Sequence, residues 1–394
     1  MKAIIRLQKP LTIKIVLVLL TGMTVFTSCK KDDKQEIPVP TTKEFVGSQN
    51  CASCHGEIYA AFVESGHPYK IMKITDNKQP SIPFLAENVP TPDGYNWSDI
   101  SYTIGGYGWK MRYIDKNGFV ITGIQGSQWN PANNSQSVYN GSVPNGTEKY
   151  TCGNCHTTGW KSIENGGLPQ DGLAGMGGQF YAGGVHCEAC HGEGNIHTIT
   201  KKKSDIVMDR SGALCAQCHY RRYKQGDLKQ QVSGGWEMHR NQHEQLSTNK
   251  HSQNGMNCNS CHDPHASTRK DAVAKGNGIK ADCGSCHSGT KFANVHMNAS
   301  CVDCHMPYTA KNGISYNKYK GDAPNHNFKI NLSETATYIT MDANENYWAN
   351  IDGKGTTLEF ACYGCHKDTD GIGGEYSIKT RAELSAKAAT FHKN

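Results

Sequence analysis

The chain has 394 residues, with 41 Lys and Arg against 35 Asp and Glu, a formal charge of +6, 37% hydrophobic residues and 17 cysteines. Lys2, Arg6, Lys9 and Lys14 stand together at the start, so the remainder is close to neutral and a nucleic-acid-binding role is excluded. The thin apolar content for this length also excludes an ordinary large hydrophobic core as the sole source of stability.

In chain order, the four basic residues precede an apolar run from Ile15 to Phe26, which reads as an export signal over residues 1–28 and is too short to span a bilayer. The run ends at Thr27-Ser28-Cys29. This is similar to the lipobox of bacterial lipoproteins, although Phe26 stands where that pattern usually has a smaller residue. On that reading Cys29 is lipidated and anchors the chain to a membrane; on the plainer one it is left over from an ordinary cleavage. Residues 29–45 are charged, carry Pro38 and Pro40, and read as a tether. Asp32-Asp33 resembles the acidic signals that send some lipoproteins to the cell surface. The expected location is therefore exported, as a periplasmic or outer-membrane lipoprotein, with surface exposure included.

Residues 46–394 are expected to form the folded body, and within them Cys-x-x-Cys-His occurs eight times. The copies are Cys51-Cys54-His55, Cys152-Cys155-His156, Cys187-Cys190-His191, Cys215-Cys218-His219, Cys258-Cys261-His262, Cys283-Cys286-His287, Cys301-Cys304-His305 and Cys362-Cys365-His366. Two thiols three positions apart suit the two vinyl groups on one haem edge, and the next residue supplies an axial imidazole. Paired cysteines also build zinc sites, but zinc does not require His after every second cysteine. Eight heme c groups are thus implied, with the eight motif histidines as proximal ligands. The motifs consume every cysteine except Cys29, so structural disulfides are excluded and cofactors must staple the fold.

The spacing of the motifs divides the body. From Cys152 to His305 they are close together, and the short segments between them predict helices and loops wrapped around stacked haems. The gap after the first motif holds Ile100 to Ile104 and Lys110 to Gly123, where Asn117-Gly118 separates two strand-like runs. A small β insertion over about residues 86–150 follows, with Trp97, Trp109 and Tyr113 as its core. A weaker β element is expected from Tyr338 to Met341 and Thr356 to Phe360, and an amphipathic helix from Ser377 to His392. The fold class is mainly α and irregular.

Ten histidines lie outside the motifs, enough to give each iron a second imidazole. His186 directly precedes Cys187 and is the least favourable donor; His239 and His243 lie one helical turn apart, so only one is needed. The expected distal ligands are His67, His197, His239, His251, His265, His296, His326 and His392, with His186 and His243 left over. His265 follows His262 too closely to round its own haem and must serve a neighbour. The 11 methionines make Met ligation available but unnecessary.

Gly47 to Cys51, Ser65-Gly66-His67, Gly184 to Gly192 with His197, Cys258 to His265 and Cys301 to Pro307 resemble the cytochrome c-554 family of multihaem electron carriers. The wider group includes pentahaem nitrite reductases and octahaem hydroxylamine oxidoreductases. By that resemblance His67, His197, His239, His251, His265, His326 and His392 sit where distal ligands are expected. The attachment motif Cys-x-x-Cys-Lys of the nitrite reductases is missing, and Tyr220-Arg221-Arg222-Tyr223 replaces their Glu and Tyr pair. The resemblance implies an electron-transfer protein working with redox partners, either other cytochromes or a membrane quinol-oxidising complex. The alternative is an octahaem oxidoreductase with one open catalytic haem, and an inert structural or storage protein is a third, weaker reading.

Overall fold

The computed structural model describes residues 38–221, 229–269, 278–290, 299–344, 347–350, 354–367 and 379–392. The export signal, Cys29, most of the tether and His296 lie outside the described residues. Residues from Val39 onward form one unit.

Helices are short, because Gly, Asn and Lys between the motifs supply neither an apolar stripe nor length. Among the described residues the longest are Leu358–His366, with nine residues, and Arg381–Ala388, with eight. Every motif nonetheless sits on or beside a helical turn, which puts its two cysteines on one face. The hydrogen bonds show this directly: His55, His219, His262 and His287 donate their backbone N–H to the first cysteine of their own motif at 2.8–2.9 Å. Caps hold several of these turns. Asn257 and Ser260, Ser300 and Asp303, and Thr380 and Glu383 form reciprocal capping boxes.

The expected β insertion is a seven-stranded sheet. Its central hairpin, Met111–Asp115 with Phe119–Val120, turns at Gly118, whose φ of +88° needs a glycine. Ile100–Gly105 pairs with Met111–Asp115, and Ile71–Lys73 pairs with Ile100–Gly105, so the sheet begins well before residue 86. Ile71–Lys73 is too short to signal itself by alternation. The core is aromatic and aliphatic: Ile100, Met111, Tyr113, Ile121 and Trp129 on one side, Ile71, Tyr102, Ile114, Tyr150 and Met176 on the other. Trp97 packs against the first group. Trp109 instead donates to the Asp322 carbonyl, 2.8 Å away, and so ties the sheet to the C-terminal half.

A second sheet was not expected in this form. Its order is Trp236–Glu237, Lys229–Ser233, Tyr347–Asn350, Ile339–Met341, while Thr356–Thr357 leaves it and pairs in parallel with Ile330–Asn331. The segments at 338–341 and 356–360 therefore do not pair with each other, and Leu358–His366 is helical. Strand content exceeds the expectation because most strands are two to five residues long, too short to signal themselves by alternation.

Beneath this sheet, the carboxylate of Glu237, 1% exposed, accepts from Gln245 Nε2 (3.0 and 2.9 Å), Tyr338 (2.8 Å), Asn325 (3.1 Å) and the Thr309 hydroxyl. Burial raises its pKa, and these donors oppose the rise. Gln245 also accepts from the backbone N–H of His326 (2.8 Å), and Asn249 donates to the His326 carbonyl (2.8 Å). The network fixes where His326 stands.

Candidate haem-binding site

No disulfide joins the sixteen motif cysteines. They meet across motifs. Cys51 lies beside Cys187, Cys155 beside Cys218, Cys215 beside Cys258, and Cys283 beside Cys301. Cys190 lies within electrostatic reach of Cys215 and Cys218, Cys261 of Cys286, and Cys304 of Cys362 and Cys365. These contacts order the motifs as 51, 187, 215, 258, 283, 301, 362, with the 152 motif branching from the 215 motif. Sequence spacing carries no trace of that order.

Five pairs of imidazoles face each other. Ring centroids are 6.5 Å apart for His55 and His197, 6.2 Å for His191 and His265, 6.1 Å for His262 and His326, 6.1 Å for His287 and His251, and 5.9 Å for His305 and His392. Two imidazoles bound to one metal at about 2.0 Å place their centroids about 6.3 Å apart. The residues present therefore fit a metal held between each pair. Each pair joins a motif histidine to a histidine from another part of the chain, as expected for His265.

In five of the histidines the remote ring nitrogen is engaged. Nδ1 donates to a carbonyl in His191 (Val207, 2.7 Å), His197 (Lys202, 2.9 Å) and His305 (Phe328, 2.7 Å), to Asp263 in His265 (3.0 Å) and to Gln242 in His219 (3.3 Å). Such bonds fix the tautomer and leave Nε2 as the acceptor for a metal.

The remaining histidines divide sharply. His186 has both ring nitrogens engaged, by Ser48 at 3.1 Å and the Gly183 carbonyl at 2.8 Å. His243 packs edge-on against Tyr220. His67 is half-buried, and burial, then Lys70 and His219, push its pKa down to about 3. Its neighbour among the motif histidines is therefore His219. His239, pushed down to about 2 by burial and by Lys110, Arg221, Arg240 and Arg112, makes no ring contact with a motif histidine among the described residues.

Sequence reasoning missed the cations around His156, because Lys70, Lys110, Arg112 and Arg240 are scattered along the chain. It also missed Gly184. This residue donates to the His156 carbonyl while Val185 donates to that of His67, both at 2.9 Å, and a Cβ there would meet the Pro68 carbonyl oxygen at 1.9 Å.

Comparison with known proteins accounts for this geometry. Residues 244–306 match the family of cytochrome c7 and related cytochrome c, and residues 125–192 match cytochrome c554 and c-prime. The chain is a multihaem c-type cytochrome. It is 28% identical over 152 residues, 34% of its length, to the multiheme cytochrome MtrA of Shewanella baltica, and the match spans 39% of that relative. Three solved structures share the fold. The octaheme sulfite reductase MccA of Wolinella succinogenes superposes with a TM-score of 0.64 at 18% identity, covering 89% of this cytochrome and 71% of the other chain. The outer cell wall cytochrome OcwA gives 0.56 at 17%, covering 88% and 86%. The undecaheme cytochrome from the S-layer of Carboxydothermus ferrireducens gives 0.51 at 18%, covering 90% and 61%. Among the described residues, no helix is long and apolar enough to cross a membrane.

Proposed function

We propose that this cytochrome is an exported electron relay carrying single electrons along eight covalently attached haems. The observation that carries the reading is the set of five imidazole pairs at metal-ligand separation, on motifs whose cysteines lie near one another in a series. Bound at these motifs, haem supplies reversible one-electron iron chemistry. The protein's part is to hold position. The motif cysteines would hold each haem, the paired imidazoles would supply ligands to its iron, and the carbonyls orient the rings. On this reading His197, His265, His326, His251 and His392 are the distal ligands for the motifs ending at His55, His191, His262, His287 and His305, and His67 serves the motif ending at His219.

Membrane attachment through acylated Cys29 and a tether over residues 29–45 would hold the relay at a periplasmic or outer-membrane surface. The partners would be other cytochromes or a membrane quinol-oxidising complex. MtrA, OcwA and the S-layer protein bear names of cytochromes, and MccA that of a sulfite reductase, so the shared fold is compatible with transfer and with catalysis. Electron paramagnetic resonance of the oxidised protein tests the relay: low-spin signals should dominate, and a spectrum that is chiefly high-spin would refute it. Mass analysis of the mature amino terminus tests the anchor, which an unacylated Cys29 would remove.

A further inference from the structure

The large sheet carries the longest stretch of the chain without an ionisable acid or base. From Asn117 to Thr147 there is no Lys, Arg, Asp, Glu or His in 31 residues, where a charged share of 19% would put about six. The stretch is not apolar either. Fifteen of its residues are Asn, Gln, Ser or Thr, and Asn133, Asn134, Asn140 and Asn145 are exposed. Of its large hydrophobic side chains only Val138 is exposed. A surface without charges forgoes the usual source of solubility, and one with so few apolar groups offers little to a hydrophobic partner. It offers amides instead, each of which both donates and accepts hydrogen bonds.

This stretch backs a cleft. Gln136 Nε2 donates to the Thr91 carbonyl (3.0 Å), the Asp93 N–H to the Gln125 carbonyl (3.0 Å), and Asn145 Nδ2 to the Tyr95 phenol oxygen (2.7 Å). From the sheet, the Tyr113 hydroxyl donates to the Pro90 carbonyl (2.7 Å). The loop from Pro90 to Asp99 is thereby fixed. Between it and the turn at Asp76-Asn77 lies an open cleft of about 480 Å³, lined by Asn77, Val89, Pro90, Thr91, Asn96, Trp97 and Ser98. Its volume is that of a small-ligand site, about 300–1,000 Å³. None of the seven lining residues is ionisable, and the Asp99 carboxylate of the same loop is taken by the Asn96 backbone N–H (2.8 Å). Trp97 is half-buried, held edge-on by Tyr113 with ring centroids 6.0 Å apart. Asn77 and Ser98 are exposed, and their side chains make no hydrogen bond to another described residue.

We propose that this cleft binds a neutral carbohydrate, as a short run of uncharged sugar rings. A sugar ring has a face of C–H groups and an edge of hydroxyls that both donate and accept. The face suits the flat indole of Trp97. The edge suits Asn77, Asn96 and Ser98, whose side chains also do both. Neither partner is charged, so no ion has to be stripped of water on binding. An anionic glycan would find no cation among the lining residues. None of them is a histidine or belongs to a Cys-x-x-Cys-His motif, so the inference stands apart from haem attachment.

The purified, haem-loaded protein is passed over immobilised oligomers of glucose, mannose, galactose and N-acetylglucosamine, with heparin and polygalacturonate as anionic controls, and binding is read by surface plasmon resonance. At least one neutral series should bind, and equally at low and high salt. Trp97→Ala and Asn77→Gly should each weaken that binding by about tenfold. Glycine suits the φ of +54° at position 77, so Asn77→Gly removes the amide and leaves the circular-dichroism melting curve unchanged. It decides the matter if Trp97→Ala melts early. Binding to no neutral series, binding confined to the anionic glycans, or undiminished binding by Asn77→Gly would overturn the site.

Discussion

Glu188 occupies the variable position after Cys187, yet its carboxylate is 4% exposed and joins two motifs. Oε1 accepts from the backbone N–H of Val46 and of Gly194, both at 2.9 Å, and Oε2 accepts from Gly47 at 2.8 Å. Gly47 has φ +83° and caps the helix Ser48–Ala52, which carries Cys51, so this one side chain sets the first motif against the third. Glu188→Gln keeps a carbonyl oxygen for two of the donors and turns an NH2 toward the Gly47 N–H. One charge-assisted hydrogen bond is lost and two donors are opposed, a cost of about 2–3 kcal/mol. Glu188→Ala strips all three donors and should cost about 4 kcal/mol. Guanidinium unfolding followed by circular dichroism reads both, with an unchanged slope and a falling midpoint. A loss below about 0.5 kcal/mol for Gln, or equal losses for Gln and Ala, would refute the reasoning, since the clamp would then contribute through packing alone.

Tyr338→Phe removes a hydroxyl that donates to Glu237 and accepts from Asn325, at 2.8 and 2.9 Å, and should lower stability by about 3 kcal/mol in the same assay. Gly184→Ala should prevent the close approach that seats His67, visible as a drop of at least several degrees in the melting temperature and altered low-spin signals. His392→Ala should open the position opposite His305 and add one high-spin haem by electron paramagnetic resonance, with the haem count unchanged. Crossed imidazole planes bring two iron d orbitals close in energy and broaden the spread of g values. The His287 and His251 pair, at 83°, should therefore give a more anisotropic low-spin signal than the His191 and His265 pair, at 3°. His251→Met should abolish that signal selectively.

The chemistry of the site was legible in the sequence wherever it is local. Cys-x-x-Cys-His needs one helical turn and nothing else, so the motifs and the turn at Asn117-Gly118 were readable residue by residue. The sequence marks His186 as the least favourable donor from its place beside Cys187, and the fold engages both of its ring nitrogens. What was illegible is non-local. The pairing of Lys229–Ser233 with Tyr347–Asn350, the inclusion of Ile71–Lys73 in the large sheet and the meeting of Cys155 with Cys218 depend on chain paths that no short window contains. His239 shows the same limit. Helical spacing from His243 said that one of the two was redundant, but only the fold shows His239 among arginines and out of ring contact with a motif histidine.

The most direct test of the account is a peptide mass map of the mature, exported protein. Haem should be found on both cysteines of all eight Cys-x-x-Cys-His motifs, Cys51-Cys54 through Cys362-Cys365. A motif peptide with two unmodified thiols, or zinc in place of haem, would contradict it.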